Sequence, residues 1–117
     1  AGPIMNLGDV TAKSVPKMVL VSAARHGGTI MTRSFIPHVC HKAIGVLGAV
    51  SVGTACLLPD GPAAHIAQHG AGRERRLSIE HPTGEFTVLV RLDPEGAVLS
   101  AGVLRTARKL ADGVVFA

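Results

Sequence analysis

Hydrophobic and polar positions change rhythm several times along this chain. Residues 18–23, MVLVSA, form a short apolar run that predicts a buried strand. Residues 29–35 alternate, with Ile30, Thr32 and Ser34 on one face and Met31, Arg33 and Phe35 on the other, which predicts a second strand. His26-Gly27-Gly28 supplies the turn between the two. Residues 43–58, AIGVLGAVSVGTACLL, carry no charge and predict a helix that Pro59-Asp60-Gly61-Pro62 stops. Further strands are predicted at 77–81, 85–92 and 97–104. The turns Pro82-Thr83-Gly84 and Asp93-Pro94-Glu95-Gly96 separate them, the second fitting a three- to five-residue hairpin. Residues 63–72 read as a loop or short helix, 105–110 as helical or extended, and 113–116 as a closing strand. Residues 1–16 read as a connector remnant whose first seven residues end a helix stopped by Gly8.

A helix that is apolar on every side needs to be enclosed. Gly45, Ala49 and Gly53 fall on one of its faces and are small enough for another backbone to come close. The expected fold class is therefore α+β. One domain over 1–117 would form a curled antiparallel sheet wrapped around one central buried helix.

Composition narrows the function. Of the 117 residues 47% are hydrophobic and 17% charged, which excludes disorder. The net charge of +4 is spread along the chain, and Arg73-Glu74-Arg75-Arg76 is its one tight cluster. Nucleic acid binding favours a continuous basic face with stacking aromatics. Aromatics are 3% here, so a small anionic substrate suits the modest positive balance better. The apolar run 43–58 spans roughly 24 Å as a helix, short of the ~30 Å bilayer core, so no membrane partner is expected. Two cysteines are too few for a disulfide framework, and Cys56 reads as core. With no targeting segment visible, the expected location is cytoplasmic.

The polar stretch before the helix carries the candidate chemistry. A helix start offers unpaired N–H donors and the positive end of a dipole, which suits anions. His38, His41 and Lys42 stand ahead of it as candidate ligands for a carboxylate. Cys40 is a weak candidate acid/base or nucleophile, since a place within a turn of the helix start favours thiolate. The ordinary reading, a partly buried and unreactive thiol, weighs more. Arg33, sharing a face with Met31 and Phe35, reads as a semi-buried arginine that needs an anionic partner, from the protein or from a ligand. His81, Thr83 and Gly84 form a turn whose N–H groups and hydroxyl are placed to cradle a carboxylate, or simply to join two strands. The His38, Cys40 and His41 spacing does not complete a zinc site, so no metal is expected. Glu80 and Glu85 do not form a catalytic pair by spacing.

Several of these segments occur in a telling order. They are Gly8-Asp9, Ser14-Val15-Pro16-Lys17, Thr32-Arg33-Ser34-Phe35 with His38 and His41, and the run 44–49. His81-Pro82-Thr83-Gly84 and the run 105–110 with Gly113 follow. The ordered set resembles the C-terminal part of PrpF-type isomerases, a family that includes 2-methylaconitate isomerase, methylitaconate isomerase and 4-oxalomesaconate tautomerase. The resemblance implies one half of a diaminopimelate-epimerase-like fold, whose active site lies between two similar halves. It implies cofactor-independent proton transfer that moves or isomerises a double bond in small unsaturated di- or tricarboxylates. It also implies that the acid/base lysine and cysteine lie in an N-terminal half outside this chain. This chain would then supply the substrate-binding wall through Arg33, His38, His41, Lys42, His81, Thr83 and Gly84. The family commonly has His-Pro-Ser-Gly where Thr83 stands, a swap that keeps the hydroxyl. The partner would be the N-terminal half or a second copy in a homodimer. A stand-alone small-acid-binding module and an inactive truncated remnant remain alternatives.

Overall fold

The computed structural model describes residues 1–116. Strands β1 (Met18–Ser22) and β2 (Ile30–Ile36) pair antiparallel, and β3 (Val39–Cys40) adds a short antiparallel step to β2. Helices α1 (Val46–Ala55) and α2 (Pro62–Ile66) follow. Strands β4 (Glu74–His81), β5 (Gly84–Leu92) and β6 (Val98–Val103) then form an antiparallel meander. The sheet order is β1-β2-β4-β5-β6, with β3 beside β2.

The class is α+β, as expected, but the sheet is mixed. β2 and β4 run parallel through Ile30↔Ile79 and Met31↔Glu80. A parallel pair needs a crossover, and the segment carrying both helices provides it. Alternation along each strand then sets the core. Ile30, Leu77, Ile79, Phe86, Val88 and Val90 meet Ala49 and Val52 of α1 and Cys56 at its C-cap. At Gly53 helix and sheet come close, since a Cβ there would lie 3.1 Å from Val88 Cγ1. The small-residue spacing thus holds for Ala49 and Gly53. Gly45 instead stands in the open as the helix N-cap.

Other expectations need correction. The helix occupies Val46–Ala55, not 43–58, because Gly45 is still extended at φ −73° and ψ 157°. It is not enclosed: Leu47 is 81% exposed and Val46 is exposed beside it. Enclosure would need the sheet edges to curl around the helix, and β1 and β6 stay edge strands among the described residues. Met18 and Leu20 of β1 are exposed, although a buried strand was expected, because they alternate with Val19 and Val21, which pack on the core, and so lie on the uncovered face of the sheet. β4 begins at Glu74, so the arginine cluster lies largely within a strand, where Glu74 meets Arg91 at 3.1 Å. The closing strand at 113–116 does not form, and Val114, Val115 and Phe116 are exposed with no strand beside them. Residues 2–6 form turns and no regular helix, yet they carry the bonds of a helix end: Leu7 N–H donates to the Gly2 carbonyl at 2.9 Å and Asn6 N–H to the Pro3 carbonyl at 3.1 Å, with Asn6 at φ +58° ahead of Gly8 at φ +66°. Asp93 to Gly96 makes the expected hairpin turn, with Gly96 at φ +88°. No helix among the described residues is long and apolar enough to cross a membrane.

Candidate functional site

The site is built where β3 ends and where β4 turns into β5. His41 N–H donates to the Ser34 carbonyl at 2.7 Å, which continues the β2–β3 pairing by one bond. The chain then leaves the sheet. Ala43 N–H donates to His41 Nδ1 at 2.9 Å. An accepting Nδ1 puts the proton of a neutral ring on Nε2, which becomes an outward donor. Thr83 Oγ1 donates to the Lys42 carbonyl at 2.8 Å, and Thr83 N–H makes a long 3.4 Å contact to His81 Nδ1. These bonds bring the loop after β3 against the β4–β5 turn.

Helix α1 starts just beyond this loop. Its N-cap Gly45 offers no side-chain cap, and the first intrahelical bond runs from Ala49 N–H to the Gly45 carbonyl at 2.8 Å. The N–H groups of Val46, Leu47 and Gly48 therefore have no helical acceptor, and the positive end of the helix dipole lies with them. His41, Lys42, Thr83 and Gly84 are exposed here, and His81 is half-buried. This end of the molecule can offer neutral and charged donors to an anion.

Not every expected residue joins it. His38 sits at the tip of the β2–β3 turn, where its Nε2–H donates to the Thr11 carbonyl at 3.1 Å and tethers the N-terminal segment. Arg33 was expected to be semi-buried and is exposed. It alternates with buried Thr32 and Ser34, so it points to the sheet face away from α1. It lines a separate hollow of about 330 Å³ with Leu20 and Arg25. No second layer covers that face at Arg33, hence its exposure. Cys40 belongs to β3, opposite Phe35, and residues 41–44 separate it from N-cap Gly45. It is not in the first helical turn, where a helix dipole would favour thiolate. Cys56 is core as expected, and burial pushes its thiol up to about 11. Among the described residues no three His, Cys, Asp or Glu side chains gather to hold a metal.

Sequence reasoning passed over Glu80. Only 2% of it is exposed, yet it is a carboxylate. It accepts the N–H groups of Arg25 at 2.7 Å, His26 at 2.8 Å and Gly28 at 2.8 Å. Burial pushes its pKa up, but these three donors and the nearby His26 charge outweigh burial and hold it below the ordinary carboxylate value. Converging backbone N–H groups of this kind suit an anion. Here the chain fills the nest with its own side chain. Gly28 is required for the fit, since a Cβ there would lie 2.7 Å from Glu80 Cγ. The glycine-rich turn was the available signal, but its partner lies 52 positions away from Gly28.

A family model described as "PrpF protein" matches residues 2–117. The chain belongs to the PrpF family. This PrpF chain is 62% identical over 115 residues to "(4E)-oxalomesaconate Delta-isomerase" of Novosphingobium sp. (strain KA1), covering 98% of the chain and 32% of that relative. It is 57% identical over 114 residues to "4-oxalomesaconate tautomerase" of Pseudomonas putida, covering 97% of the chain and 31% of the relative. It is 39% identical over 118 residues to "Putative isomerase YbhH" of Escherichia coli (strain K12), covering 99% and 33%. The PrpF chain thus spans about a third of the length of these curated relatives. Each relative is named as an isomerase or tautomerase, in keeping with the resemblance read from the sequence.

Proposed function

We propose that this chain is the substrate-binding part of an isomerase that shifts a double bond in a small unsaturated tricarboxylate of the 4-oxalomesaconate type. The chain forms one half of a diaminopimelate-epimerase-like fold, and the rest of the full-length protein supplies the proton-transfer groups without a cofactor. Removing a proton beside a carbonyl or carboxylate leaves an enolate-like anion. Fixed donors aimed at that charge lower the barrier more than mobile solvent does. Lys42 supplies the charge, and the His41 Nε2–H and the free N–H groups at the start of α1 supply neutral donors.

The observation that carries this reading is the hydrogen bond from Thr83 Oγ1 to the Lys42 carbonyl. It joins the two loops that hold most of the expected ligands. Arg33 and His38 are left out of the proposed wall: Arg33 lines the hollow with Leu20 and Arg25, and His38 is tied to the Thr11 carbonyl. The names of the relatives motivate the choice of acid.

The test is solvent deuterium incorporation into an oxalomesaconate-type acid in D2O. The full-length protein is expected to incorporate deuterium and isomerise the acid, while residues 1–117 alone do neither. Turnover by the chain alone, or none by the full-length protein, would overturn the reading.

A further inference from the structure

We propose that Thr83 is a positioning residue: its hydroxyl fixes the Lys42 segment and does not itself bind the anion. This rests on the carboxylate-binding reading above and divides the labour within that site. A threonine hydroxyl has one proton. Thr83 Oγ1 donates it to the Lys42 carbonyl at 2.8 Å. What the oxygen has left is lone-pair density, shared with a 3.3 Å contact to His81 Nδ1, and lone pairs repel a carboxylate. A direct cradling role would require this bond to break.

The surroundings fit a latch. On one side, Thr83 sits in a short turn in which His81 faces Gly84 across the β4–β5 register. Pro82 fixes the backbone φ immediately before it. On the other side, Lys42 lies between two local ties, His41 N–H to the Ser34 carbonyl and Ala43 N–H to His41 Nδ1. Both belong to the β2–β3 side of the molecule. The Thr83 bond alone among these three reaches across from the β4–β5 hairpin, and it spans 41 positions. It therefore sets where the Lys42 segment stands relative to His81. Serine can make the same bond, and valine, of nearly the same shape, cannot.

The experiment compares Thr83→Val and Thr83→Ser in the full-length protein. Amide hydrogen exchange at residues 42–45 is read without substrate, and KM and kcat are read with an oxalomesaconate-type acid. Loss of one such hydrogen bond in Thr83→Val is expected to speed exchange at the Ala43 amide and to raise KM, each by up to about tenfold. The value of kcat should change little, and Thr83→Ser should restore both quantities. A raised KM with unchanged exchange would overturn the latch and make Thr83 a direct ligand, leaving the site reading intact. Faster exchange with unchanged KM would overturn the carboxylate-binding reading, and the positioning role with it. Thr83→Ala, measured the same way, serves if the valine variant folds poorly.

Discussion

Lys42→Ala in the full-length protein is expected to raise KM for an oxalomesaconate-type tricarboxylate roughly 10- to 100-fold, with a smaller fall in kcat. A hydrogen bond to a charged partner contributes about 1.5–3 kcal/mol, which corresponds to that range. Lys42 is exposed, and among the described residues it makes no ion pair, so its charge is not already committed to a protein carboxylate. Exposure also means that salt screens it. The KM of the unaltered protein should therefore rise with ionic strength, and that of the alanine variant should rise less. Lys42→Arg should recover part of the loss, because it keeps the charge but changes its shape. An unchanged KM in the alanine variant would remove Lys42 from the site.

Glu80→Gln is expected to destabilise the fold by about 3 kcal/mol at neutral pH. The carboxylate accepts three backbone N–H groups at 2.7 to 2.8 Å. A glutamine can accept through its oxygen, but its amide nitrogen would face donors with a donor of its own. The loss should depend on pH in a definite direction. The folded-state pKa of Glu80 is held below its ordinary value of 4.5. Its contribution is therefore fully present above pH 4.5 and is lost as pH falls through the folded value. Denaturant curves of the two proteins should lie well apart at neutral pH and converge in acid. Curves equally far apart at every pH would show that the carboxylate charge is not what holds the Arg25–Gly28 turn.

Most strands were legible because period-two alternation survives wherever one face is buried. Ile30, Thr32 and Ser34 share a face in β2 just as their spacing requires. Turn chemistry at Pro82-Thr83 and at Asp93 to Gly96 was legible for local reasons, since those bonds join near neighbours. What escaped was set by partners distant in sequence. The parallel pairing of Ile30 with Ile79 leaves no mark in either strand alone. The missing charge on α1 signals a helix that prefers cover, but it does not say that the sheet covers one side only. Arg33 was placed correctly on the Met31 and Phe35 face, yet alternation does not reveal whether a second layer shields that face. Cys40 was assigned to the helix start because the helix was expected to begin three positions earlier than Val46. In the site itself, the His41, Lys42, His81 and Thr83 grouping was legible as chemistry. The hydroxyl bond that joins its two halves was not.

The parallel β2–β4 pair also has a bearing on the order of folding. β4, β5 and β6 are linked by short turns, so their contacts form with little loss of chain entropy. Pairing Ile30 with Ile79, and Lys42 with Thr83, closes much longer loops. Loop closure grows more costly with length, and non-local contacts tend to come late. The hairpins are therefore expected to be in place before the loop after β3 meets the β4–β5 turn. Transition-state mapping should find substitutions in β5 slowing folding, while Thr83→Ala mainly speeds unfolding. A chain weakened anywhere in its crossover would then lose the Lys42–Thr83 junction before it loses its meander.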